Sequence, residues 1–201
     1  SRAYVPGPHL SDALVWARRM DARGVACTLG YFNADGEHPA SVAAHDRTAI
    51  EALEGLARKG YVSFKVPALQ YDTALLESMA ADAELRGQYI HFDSHGPETA
   101  QATIDALALL QRPERRLSLT IPARWARSPA DADWAVEHGV RVRVVKGQWE
   151  CPEQPGRDMR ACYMDVIARL AGRASAVAVA SHDAPLARQA LELLRREGTP
   201  C

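Results

Sequence analysis

Several short apolar runs in this 201-residue chain end in ionisable groups. Lys65 closes Tyr61-Val62-Ser63-Phe64-Lys65, and His91 and Asp93 alternate within Tyr89-Ile90-His91-Phe92-Asp93. Arg143 and Lys146 lie in Arg141-Val142-Arg143-Val144-Val145-Lys146-Gly147, and His182 closes Ala178-Val179-Ala180-Ser181-His182. Singly, each has an ordinary reading: a lysine at a solvated edge, or a histidine satisfied in a core. Together they are hard to explain as stabilisation, because burying unpaired charge is costly and apolar side chains would pack the same positions without that penalty. The excess of positive charge calls for an anionic substrate or cofactor. A second chemistry is also open. His91, Asp93 and His95 recur at every second residue and, joined by His182, could surround a divalent metal as in barrel hydrolases and isomerases. Lys65 and Arg143 would repel that cation.

These groups need a frame that brings run ends together. Runs rich in Val, Ile, Phe and Leu at 25–32, 61–67, 89–94, 117–122, 140–147 and 176–182 read as strands. Between them Ile50, Leu53, Leu56 and Ala57, then Leu75, Leu76, Met79 and Ala83, then Ile104, Leu107 and Leu110, then Met164, Ile167 and Leu170 show helical spacing. Gly24, Gly60, Gly87, Gly139, Gly172 and Gly198 follow helical stretches, and Ser11, Asp72, Ser128 and Asp183 suit N-caps, with Pro129 just inside the helix that Ser128 opens. The pattern predicts one leading helix and six β-α units around a parallel sheet. Doubly wound sheets are covered on both faces and have nearly continuous apolar strands. Here one strand face is Val and Phe and the other small or polar. That alternation predicts an α/β fold of TIM type, a (β/α) barrel with its polar face inward, in a single domain over residues 1–201. Only six of the eight units of a closed barrel are visible.

Composition narrows the partners. With 47% hydrophobic and 24% charged residues, disorder is excluded, and 24 basic against 25 acidic residues leave no field to recruit nucleic acid or anionic lipid. No run is long enough for an integral membrane segment, and the start of the chain lacks a signal pattern, so a cytoplasmic location is expected. Cys27, Cys151, Cys162 and Cys201 have no C-x-x-C spacing and read as reduced thiols. Trp16, Trp125 and Trp134 read as packing residues, and Trp149 as a candidate pocket residue. Arg115-Arg116 and Arg195-Arg196 read as solvated pairs near helix ends, and Glu150 to Gly156 as a loop at the barrel mouth.

Ser63-Phe64-Lys65-Val66, Ile90-His91-Phe92-Asp93, Val142-Arg143-Val144-Val145-Lys146-Gly147 and Ala178-Val179-Ala180-Ser181-His182-Asp183, in this order and spacing, resemble successive strands of flavin-dependent proline dehydrogenases. Tyr4-Val5-Pro6-Gly7 and Arg127-Ser128-Pro129-Ala130-Asp131 resemble that family too. The resemblance implies a distorted TIM barrel that holds FAD at the C-terminal strand ends and oxidises proline, or a related cyclic imino acid, to pyrroline-5-carboxylate by hydride transfer to flavin N5. It implies that Lys65 pairs with the substrate carboxylate, that Asp93 belongs to the same polar network, and that Arg143 lies against the isoalloxazine. Lys146, Gly147 and His182 would line the cofactor site.

The departures from the family touch function. Pro122 stands where the family has a flavin-contacting glutamine, and Gln148 and Trp149 replace a small residue and a tyrosine. Gly30 and Ala34 stand at acidic positions. The family's last two β-α units, with the arginine pair that clamps the carboxylate, have no counterpart before Cys201. The expectation is therefore a piece of a longer chain. A barrel left open between its first and sixth strands would expose edges that invite pairing into a homo-oligomer. These departures also suit a non-catalytic relative with a vestigial site.

Overall fold

The computed structural model describes residues 5–57 and 60–201. Ser1 to Tyr4, and with them the tyrosine of the Tyr4-Val5-Pro6-Gly7 run, lie outside the described residues. The chain forms two compact units, one of residues 1–95 and 101–116, the other of 96–100 and 117–201. The first carries α1 (Leu10–Asp21), β1 (Thr28–Leu29), α2 (Pro39–Leu53), β2 (Tyr61–Lys65), α3 (Thr73–Leu85), β3 (Ile90–Asp93) and nearly all of α4 (Ala100–Leu109). The second carries β4 (Leu117–Pro122), α5 (Ser128–Glu137), β5 (Arg141–Val145), α6 (Met159–Leu170), β6 (Val177–Ala180) and α7 (Ala184–Arg196). Strand order is β1-β2-β3 in the first unit and β4-β5-β6 in the second, with parallel pairing and a helix after each strand. Order that follows the chain, without the reversal of a doubly wound sheet, makes this a partial TIM-type (β/α) barrel fold.

Strand alternation builds each unit's core. In the first, Val62, Phe64, Ile90 and Phe92 point to the helix side and are at most 1% exposed, with α2 and α3 contributing Ile50, Leu53, Leu76 and Met79. In the second, Leu119, Ile121, Val142 and Val144 are buried with Tyr163, Val166, Ile167 and Leu170 of α6 and Leu186, Ala190 and Leu194 of α7. Each such side chain contributes about 1.5–3 kcal/mol by leaving water. The phenol of Tyr163 adds a directed contact, donating to the Val144 carbonyl at 3.0 Å.

Several local expectations are corrected. Asp72 and Asp183 cap α3 and α7 through their side chains, but α1 is capped by His9, not Ser11, with Asp12 returning to the His9 amide. Ser128 is the first residue of α5 rather than its cap, and its buried hydroxyl donates to the Pro122 carbonyl at 2.7 Å. Leu56 and Ala57 fall beyond α2, which ends at Leu53. Gly60 serves a close approach, since a Cβ there would meet the Cys27 carbonyl oxygen at 2.6 Å. Arg115 is buried, not solvated: Nε donates to Glu84 at 3.0 Å and Nη1 to Glu77 at 2.8 Å. A desolvated guanidinium is held only when carboxylates match it this closely. Trp16 is 51% exposed instead of packed, with the Arg19 guanidinium 5.2 Å from its ring centroid. Trp125 is buried, and all four cysteines are free thiols. Among the described residues, no helix is long and apolar enough to cross a membrane.

Candidate functional site

In the first unit the β2–β3 register sets Ser63 opposite His91 and Lys65 opposite Asp93. Because side chains alternate, these four share the face turned away from Val62, Phe64, Ile90 and Phe92. The Ser63 hydroxyl donates to Asp93 Oδ2. His91, fully buried, brings Nε2 to 3.6 Å from Asp93 Oδ1, and its ring centroid lies 5.3 Å from that of Tyr61. Lys65 ends its strand because the chain turns at once: Val66–Leu69 form a 3-10 turn, and Gln70 and Tyr71 take left-handed conformations before Asp72 caps α3. The ammonium lies 3.8 Å from the centroid of the Phe32 ring. Burial lowers the lysine's pKa, while the charges of Asp93 and Asp46 oppose that shift.

Asp46 is the residue that sequence reasoning missed. It sits on α2, 2% exposed, and burial pushes its carboxyl up to about 7 against the opposing pull of Lys65. The signal was present as an acid inside the apolar stripe Val42, Ala43, Ala49, Ile50 and Leu53. The segment after β1 is organised by Glu37, which accepts from Ser41 Oγ at 2.7 Å, the Ala34 amide at 3.0 Å and the Tyr31 hydroxyl.

In the second unit Thr120, Arg143 and Ala178 are register partners across β4, β5 and β6. Arg143 Nε donates to Thr120 Oγ1 at 3.0 Å, so the guanidinium is anchored on the polar strand face, opposite buried Val142 and Val144. Just past β5, Lys146 Nζ lies 3.3 Å from Asp183 Oδ2, which Arg160 Nη1 also meets at 2.6 Å. Asp183 caps α7 through the Leu186 amide, and this hydrogen bond, with both cations, holds its carboxyl below the usual range. His182 is exposed beside it.

The loop after β5 is tied to the loop after β4. Arg124 donates to the carbonyls of Gly147 at 3.4 Å and Gln148 at 3.3 Å and pairs with Glu150 at 3.1 Å. Trp125 Nε1 donates to the Trp149 carbonyl at 3.2 Å, and the Ala126 amide to Cys151 Sγ at 3.4 Å. Gly147 has φ +97°, and a Cβ would press on Pro122 and Arg124 at 3.0 Å, so only glycine fits. The side chains of Gln148 and Trp149 are exposed.

No protein-family profile and no curated protein matches the chain. A solved structure does: proline utilization A (PutA) from Bdellovibrio bacteriovorus, inactivated by N-propargylglycine, superposes with a TM-score of 0.82 at 16% identity. The match covers 99% of this chain and 27% of that one. The likeness establishes the fold. The chain spans about a quarter of the length of the PutA chain it matches.

The expected residues thus fall into two sets. Lys65 and Asp93 are brought together in the first unit, with Ser63, His91 and Asp46. In the second, Arg143 lies within β5 and Lys146 and Gly147 just past it, and Lys146 reaches the Asp183 that follows His182. Among the described residues, no three His, Cys, Asp or Glu side chains are grouped as a metal site would require.

Proposed function

We propose that this chain is the barrel portion of an FAD-dependent oxidoreductase that oxidises proline or a related cyclic imino acid to pyrroline-5-carboxylate or its analogue. The observation that carries this reading is the register-matched pair Lys65 and Asp93 at C-terminal strand ends, in a chain 99% of which matches the fold of a part of PutA. Lys65 binds the substrate carboxylate as an ion pair, and Asp93, held by Ser63, fixes the local arrangement of charge. The donor set of the second unit suits a planar, anionic group. Arg143 is anchored by Thr120 beside the small Ala178, and Lys146 and left-handed Gly147 follow just past the strand. Arg143, Lys146, Gly147 and His182 are the residues that hold FAD, which when bound supplies the hydride acceptor. The Arg143 cation favours the negative charge that develops on reduction.

The test uses the protein at its natural length. Purified protein that carries or binds flavin, loses the yellow absorbance on addition of proline and reduces dichlorophenolindophenol supports the reading. Failure to bind flavin, together with no dye reduction by proline, hydroxyproline or other cyclic imino acids, overturns it in favour of a binding or regulatory relative. That alternative draws on Pro122, whose carbonyl accepts from the Ser128 hydroxyl and whose Cβ leaves no room for a side chain at Gly147.

A further inference from the structure

Helix α2 carries one acid in its buried stripe. Val42, Ala43, Asp46, Ala49, Ile50 and Leu53 recur at helical spacing and are all buried. An alanine or leucine at position 46 would complete that stripe without cost, whereas a carboxyl in such a place loses its hydration. Asp46 Oδ1 has no hydrogen-bond partner among the described residues, so the loss is not made good by a neutral donor. The residue before it, His45, stacks on the Tyr31 ring at 4.4 Å, and the ring of Phe32, which follows Tyr31, has the Lys65 ammonium 3.8 Å from its centroid. Helix α2 packs against β2 and against the turn that follows Lys65, and the charges of Asp46 and Lys65 act on each other.

We propose that Asp46 is a positioning residue for Lys65: its carboxylate is the internal counter-charge that keeps the Lys65 ammonium charged and directed at the end of β2, ready for a carboxylate ligand. As to the ligand, the inference rests on the function proposed above; the Asp46–Lys65 pairing itself does not. The groups around the pair are few. From β3, Asp93 acts on Lys65. From the segment after β1, the Tyr31 phenol has its pKa raised in part by Asp46, and the Phe32 ring lies against Lys65. From α3, Asp82 is engaged by Arg47 at 2.6 Å. The charges of two acids, Asp93 and Asp46, therefore act on Lys65, and removing one leaves the other in place.

The experiment reads the amine directly. Limited acylation of the natural-length protein at about pH 9, followed peptide by peptide by mass spectrometry, reports the neutral fraction of each lysine. Asp46→Asn is expected to raise the Lys65 rate about three- to tenfold, because loss of an opposite charge lowers an amine's pKa by roughly half a unit to one unit. Lys146, in the other unit, serves as the internal reference and keeps its rate. An unchanged Lys65 rate overturns the proposal. Should Asp46→Asn fail to fold, carbon-detected NMR of the Asp46 carboxyl decides. Its titration midpoint is expected to rise in Lys65→Met, and an unmoved midpoint overturns the pairing. In flavin-loaded protein, Asp46→Asn is expected to raise KM for proline about tenfold with kcat little changed. An unchanged KM in protein that does turn proline over overturns the positioning role. A shifted Lys65 rate in protein that turns over no imino acid supports the pairing and overturns the imino acid reading alone.

Discussion

Replacing Asp46 by asparagine should change how stability depends on pH, and the size follows from burial. The carboxyl is 2% exposed and its pKa rises from 3.8 to about 7. In the unfolded chain it ionises near its ordinary value, so between these limits the folded state binds the extra proton. The folded pKa is raised, and the contribution is therefore fully present below pH 4 or so and lost as pH climbs through about 7. A shift of roughly three units corresponds to about 4 kcal/mol. Against total stabilities of about 5–15 kcal/mol for a domain, that is large enough to measure. Asparagine matches the neutral carboxyl in size and cannot ionise. Asp46→Asn should therefore be more stable than the parent by only about 1 kcal/mol at about pH 4.5 and by about 4 kcal/mol at about pH 8. Urea unfolding at both pH values, read as midpoints at constant slope, checks this. An equal difference between the two proteins at both pH values would refute the assignment of a buried, late-ionising carboxyl.

Other outcomes follow from the same geometry. Tyr163→Phe removes the buried hydroxyl that donates to the Val144 carbonyl and should cost about 1–3 kcal/mol. A urea midpoint equal to the parent's would show that this hydrogen bond contributes nothing. Lys65→Met and Asp93→Ala should each abolish imino acid turnover while circular dichroism stays native; unchanged rates in both would remove the pair from the chemistry. Arg143→Ala should weaken flavin retention or lower the flavin's reduction potential, measured by dialysis against free FAD and by dye-coupled redox titration, and unaltered retention and potential would dissociate Arg143 from the cofactor.

Much of the frame was legible because it is written in local periodicity. Strand β4 matches its expected bounds to the residue, and Lys65 and Asp93 are the last residues of their strands, whereas Arg143 lies in the middle of β5. Strand β1 shrank to Thr28–Leu29, since the run after it bends toward the Glu37-centred turn instead of continuing the ladder. What stayed hidden depends on partners distant in sequence. Arg115 looked like a solvated helix-end cation because nothing local announces Glu77 and Glu84, 38 and 31 residues earlier. Asp46 was passed over because helical spacing was traced through apolar residues alone, so an acid in register with them drew no notice. The arginine in β5 was found from its place in a charged apolar run, but its anchor on Thr120 depends on strand register, which a single sequence does not encode.

The grip of Arg124 and Trp125 on the loop after β5 has an evolutionary corollary. Three of its hydrogen bonds end on the main-chain carbonyls of residues 147, 148 and 149, groups that any amino acid would offer. Beyond Gly147, the path of the loop is uncoupled from the identity of the side chains it displays. Positions 148 and 149 can therefore drift, and with them whatever molecule the rim selects, while the scaffold beneath is inherited unaltered.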